Sequence, residues 1–133
     1  MSRFVFDSSA VITLFENRGG ADKVADLLRQ AGDGKSVLLM SVVNWGEAYY
    51  SVWNTNGPGL ARKVIDDLAQ LPVKVISVDM QLTRLAAELK AEQKLPYADC
   101  FAASLAMQRH ATLVTADSDF SRLKKKLPVI LLS

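Results

Sequence analysis

The chain has 133 residues, half of them hydrophobic and 23% charged, enough for one domain with its own core (1–133) and too few for two ordinary ones. No apolar run approaches the roughly 20 residues that span a bilayer, the start lacks the long apolar stretch of a signal peptide, and the lone Cys100 excludes a disulfide framework or a thiolate zinc site. These absences lead to the expectation of a cytoplasmic protein with no membrane association. The formal charge of +2 is too small to announce a nucleic-acid partner by itself.

In chain order, residues 3–7 read as a short strand running into a helix, with Ser8 or Ser9 as the N-cap. Val11, Leu14 and Phe15 recur at helical spacing until Arg18-Gly19-Gly20 breaks the pattern, and residues 21–31 form a second helix with Val24, Leu27 and Leu28 inward. Residues 37–40, Val-Leu-Leu-Met, are a continuous apolar run that suits a strand buried on both faces. Ser41 opens a helix carrying Asn44, Glu47 and the aromatic set Trp45, Tyr49, Tyr50 and Trp53. Gly46, costly inside a helix, suggests a close approach to a neighbouring element. Residues 54–59 contain the clearest loop signal, and 60–71 are helical again, with Val64, Leu68 and Leu71 on one side.

A second apolar strand is predicted over 73–78, followed by a helix capped by Asp79 with the stripe Leu82, Leu85, Ala86 and Leu89. Lys94-Leu95-Pro96 interrupts it, and a helix from 97 to about 110 follows. Residues 112–115 form a strand, 117 to about 125 a short helix and 129–132 a final strand. Arg122, Lys124, Lys125 and Lys126 read as a solvated helix face, with a phosphate-contacting patch as the alternative. Apolar strands alternating with helices imply an α/β fold: a mostly parallel central sheet covered on both faces.

Ligand sites in such sheets form outside the carboxyl ends of the strands. Asp7 directly follows one predicted strand and Asp117 lies two residues beyond another, so the two converge if those strands are neighbours. Each alone also reads as a helix cap. Glu47 lies on a helix rich in apolar groups, and Asp99 in the first turn of an Ala-rich one, where the helix dipole favours an acid. Carboxylates brought together repel one another and hold protons unless a cation sits among them. With one histidine, His110, and one cysteine, an all-oxygen site points to Mg²⁺ or Mn²⁺, ions suited to chemistry on phosphate. Cys100 reads as a buried inert thiol, and no Gly-rich phosphate loop is present.

Four segments in this order resemble the PIN-domain family, and within it the toxin nucleases of VapBC-type toxin–antitoxin pairs. They are Phe4-Val5-Phe6-Asp7-Ser8-Ser9-Ala10, Ser41-Val42-Val43-Asn44-Trp45-Gly46-Glu47, Leu95-Pro96-Tyr97-Ala98-Asp99-Cys100-Phe101-Ala102-Ala103 and Leu113-Val114-Thr115-Ala116-Asp117-Ser118-Asp119-Phe120. The resemblance covers nearly the whole chain. It implies a three-layer α/β/α sandwich and RNA cleavage with Mg²⁺ or Mn²⁺, leaving 5′-phosphate and 3′-hydroxyl ends. Carried over by position, Asp7, Glu47, Asp99 and Asp117 are the catalytic acids, and Asp7, Asp99, Asp117 and Asp119 hold metal. Glu47 is either a ligand or a base. Ser8, Asn44 and Thr115 match polar positions beside the acids, although Ser41 and Asn44 also have the spacing of a helix-cap interaction. The resemblance further implies a homodimer and a small VapB-type antitoxin, with the aromatic stretch 45–53 and the early helices as candidate contact surfaces and core packing as the plainer reading of the aromatics. The rivals are a PIN-like scaffold without activity and an aspartate-based phosphatase or phosphotransfer domain. The second acid a phosphatase needs two residues after its nucleophile is missing here, since Ser8 and Ser9 follow Asp7.

Overall fold

The computed structural model describes residues 1–132. Along it run β1 (Ser2–Phe6), α1 (Ser8–Phe15), α2 (Ala21–Gly32), β2 (Ser36–Ser41), α3 (Val42–Asn56) and α4 (Pro58–Leu68). The second half holds β3 (Val73–Ile76), α5 (Met80–Gln93), α6 (Tyr97–Gln108), β4 (Thr112–Thr115), a 3₁₀ helix (Ser118–Leu123) and β5 (Val129–Leu131). The strands form one sheet in the order β3-β2-β1-β4-β5, and every pairing is parallel. The chain adds β2 and β3 on one side of β1, then crosses to its other side for β4 and β5. That reversal makes the β1–β4 boundary the switch point, where α/β sheets open a crevice for ligands.

Side chains alternate across the sheet and divide the core into two layers. Val5, Leu39 and Leu113 pack with Leu82, Leu89, Phe101 and Leu105 of α5 and α6. Phe6, Leu38, Met40 and Val114 pack on the other face with Val11, Val24 and Leu27 of α1 and α2. This is the covered parallel sheet that the strand and helix pattern predicts, in the three-layer α/β/α form that the resemblance implies. A smaller cluster of Val52, Ala61 and Val64 joins α3 to α4. No helix among the described residues is long and apolar enough to cross a membrane.

Four local expectations change. The cap of α1 is Asp7, whose carboxylate accepts from Ala10 N at 3.0 Å, rather than Ser8 or Ser9. The expected loop over 54–59 shrinks to one residue. Gly57, at φ +87°, donates its N–H to Trp53 O to close α3 and immediately precedes Pro58, the first residue of α4, where proline's fixed φ suits a helix start. Leu85 is exposed rather than part of the inward stripe. The ring of open space at Gly46 also removes the expected close approach, because a Cβ built there meets nothing within 4 Å.

The basic segment behaves as solvated surface that staples the 3₁₀ region to α5. Arg122 donates to Gln93 O at 3.3 Å and Lys126 pairs with Glu92 at 3.2 Å, all exposed. Gly20, by contrast with Gly46, is needed. It holds φ +92°, and a Cβ there would lie 2.8 Å from Leu132 Cβ. In chemical denaturation, Gly20→Ala is expected to cost at least about 2 kcal/mol through strain and overlap. Gly46→Ala is expected to gain about 0.5–1 kcal/mol by restoring helix propensity.

Candidate active site

Parallel pairing of β1 with β4 sets Phe6 beside Val114, so the residues that follow each strand meet at the carboxyl edge of the sheet. Asp7 is buried there. Its Oδ1 accepts from Ser9 Oγ at 2.7 Å and from Ala10 N, and its Oδ2 accepts from the hydroxyl of Thr115. Thr115 Oγ1 in turn accepts from Asp117 N at 3.0 Å, and Asp117 Oδ1 accepts from Asp119 N at 2.9 Å. A continuous run of hydrogen bonds therefore links the acid after β1 to both acids after β4.

The remaining acids arrive from two helices. Glu47, half-buried on α3, accepts from Ser8 Oγ of α1. Asp99, buried in the first turn of α6, has its carboxyl pushed up to about 7 by burial, then by the charges of Glu47, Asp7, Asp117 and Asp119. That response identifies all five predicted acids as one electrostatic cluster. Asp7 is raised to about 6, chiefly by burial and also by Glu47, against the opposing effect of its three hydrogen bonds.

Of the predicted neighbours, Ser8 and Thr115 touch acids directly. Asn44 instead spans to α6, its Nδ2 donating to Ala98 O at 3.0 Å. The helix-cap contact belongs to Ser41 alone, which accepts from Val43 N at 3.1 Å. Ser9, in the sequence only a cap candidate, is part of the site: its hydroxyl donates to Asp7 and accepts from Ala116 N at 2.8 Å, linking the end of β1 to the end of β4. Its place beside Asp7 in the sequence was the only available signal. Cys100 is buried with its thiol pushed up by burial, which leaves little thiolate for nucleophilic attack.

The donor set fits a hard divalent cation, since it is all oxygen, concentrates negative charge and raises two carboxyls far above their usual range. Asp7, Asp99, Asp117 and Asp119 would hold such an ion, with Glu47 beside them. Among the described residues, no three Asp, Glu, His or Cys side chains stand close enough together to hold an ion by themselves. Retained water would complete its coordination, as magnesium commonly requires.

Two measurements test this geometry. Carboxyls whose folded pKa is raised contribute stability that is fully present below the unfolded value near 3.8 and lost as pH rises through about 6 and 7. The melting temperature of cation-free protein is therefore expected to fall between pH 5 and about pH 8, with the fall reduced in Asp99→Asn. Ser9→Ala is expected to cost about 1–2 kcal/mol, since it removes a donor to the buried Asp7 carboxylate.

Comparison with known proteins places this architecture. The PIN domain profile matches residues 4–126. A comparison with curated proteins returns no match. Among solved structures, VapBC2 from Rickettsia felis, bound to a DNA fragment from its promoter, aligns with TM-score 0.79 at 18% identity, covering 98% of this chain and 99% of that one. DNA-bound VapBC from Salmonella typhimurium gives TM-score 0.74 at 17% identity, covering 98% of each chain. VapC20 from Mycobacterium tuberculosis, described as a sarcin-ricin-loop-cleaving toxin, gives 0.71 at 20% identity over 91% of this chain and 94% of that one. At such identities these likenesses speak to the fold, which is that of the VapC structures, while the profile match spans most of the sequence: the chain belongs to the PIN-domain family.

Proposed function

We propose that this PIN domain is a Mg²⁺- or Mn²⁺-dependent endoribonuclease and the toxin of a VapBC-type pair acting in the cytoplasm. The observation that carries the reading is the gathering of five acids at the switch point of the sheet, where Asp7 is linked through Thr115 to Asp117 and Asp119 and where burial and the surrounding acids raise the carboxyl of Asp99. A cluster of that kind is costly to the fold, and a divalent cation together with a phosphodiester gives it a use.

The bound cation would polarise a phosphoryl oxygen and lower the pKa of a water for in-line attack at phosphorus. The protein's own part is positioning. Asp7 is fixed by three donors and presents a carboxylate that cannot swing away. Asp117 is ordered by its carboxylate's acceptance of Asp119 N–H where β4 turns into the 3₁₀ helix. Glu47, held only by Ser8, is free to steer the attacking water or take its proton. Cys100 and His110 have no part in this scheme.

VapBC assemblies among the similar structures support a VapB-type antitoxin as partner, and a homodimer is proposed alongside it. Of the aromatics on α3, Trp45 packs against the core layer under α1 and Tyr49 against the α3–α4 cluster, whereas Tyr50 and Trp53 are exposed, Trp53 with Arg62 over its ring. Purified protein freed of inhibitor is expected to cut RNA with Mg²⁺ or Mn²⁺ and not with EDTA. Asp7→Asn and Asp99→Asn are each expected to lower cleavage more than about 100-fold, the scale of losing one electrostatic partner at a reacting centre. Wild type that cuts nothing, or variants that cut as well as wild type, would return the chain to the scaffold reading.

A further inference from the structure

We propose that Asn44 is a positioning residue that sets the spacing between Glu47 and Asp99; the inference rests on the cation-dependent reading of the site above. Asn44 lies three residues before Glu47, on the same face of α3. Its Nδ2 donates to the carbonyl of Ala98, the residue next to Asp99 in the first turn of α6. One carboxamide thus ties the helix bearing one acid to the helix bearing another. Each of the two helices brings a carboxylate to the cluster, Glu47 on α3 and Asp99 on α6, and like charges on neighbouring elements push apart unless something holds them.

The amide is also maintained at a cost. Asn44 is completely buried and its Oδ1 has no hydrogen-bond partner. A sealed carbonyl oxygen without a donor disfavours the folded state, and an apolar side chain of similar volume would avoid the penalty. Leucine fills the same space. What leucine lacks is the N–H donor to Ala98 O, and that donor is the one contact of the carboxamide that reaches the acid cluster. A residue that orients acids from behind is expected to act on cation affinity before it acts on stability.

The test is calorimetric titration of the full-length, RNA-free protein with Mn²⁺, together with its melting temperature, for wild type, Asn44→Leu, Asn44→Ser and Ser104→Ala. Ser104 supplies the control: like Asn44 it is buried with an unpartnered polar atom, a hydroxyl on α6 that faces α5 rather than the acids. Both Asn44 variants are expected to bind Mn²⁺ about tenfold more weakly or worse, while Ser104→Ala binds as wild type. Asn44→Ser keeps the test alive where leucine prevents folding. Wild-type affinity in the Asn44 variants, whatever their melting temperatures, overturns the proposal, as does an equal loss in Ser104→Ala. Wild type that binds no Mn²⁺ removes the cation reading itself, an outcome distinct from failure at Asn44 alone.

Discussion

Like charges gathered at one edge of a sheet push one another outward, and much of this fold acts to hold them in place. Asp7 and Asp117 are brought together by β1 and β4, two buried parallel strands whose neighbours cannot shift without breaking the core on both faces. Small polar groups then fill the gaps between the acids. Thr115 and Ser9 each donate to Asp7 and accept from the backbone after β4, so hydroxyls stand where carboxylates would otherwise face one another. Hydrogen bonds of this type favour the charged form and offset part of the cost of burial.

The cluster has a fixed side and an adaptable side. Asp7 and Asp117 are held by backbone and hydroxyl donors, whereas Glu47 has one hydroxyl and Asp119 is exposed. For the proposed metal-dependent cleavage, a rigid base beside less constrained acids would let the site take an ion with some of its water and then a phosphodiester.

Much of this was legible in the sequence because strand–helix alternation and acid placement are local patterns. The buried run of β2, the stripe of α2 and the cap at Asp79 follow directly from residue type and spacing. What escaped depended on a second element. Ser9 gained its role only when β4 lay beside β1, and nothing local distinguishes a capping serine from a bridging one. Asp7 displaced the serines as cap because the strand delivers its carboxylate to Ala10 N. Residues 54–59 carry every loop signal, yet packing of Val52 against Ala61 and Val64 lets both helices run almost into contact. Gly46 shows the opposite limit: a glycine that suggests crowding stands in open space.

The hydrogen bond between Thr115 and Asp7 joins residues 108 positions apart, and β1 finds its second neighbour only when β4 has been made. Pairings of such long range are slow to form, because the loop they close must be ordered before any contact rewards it. A nascent chain emerging from the ribosome would carry Asp7, Glu47 and Asp99 well before the strand that completes their arrangement. The order of synthesis therefore keeps the acid cluster unassembled until β4 and the acids that follow it have been made.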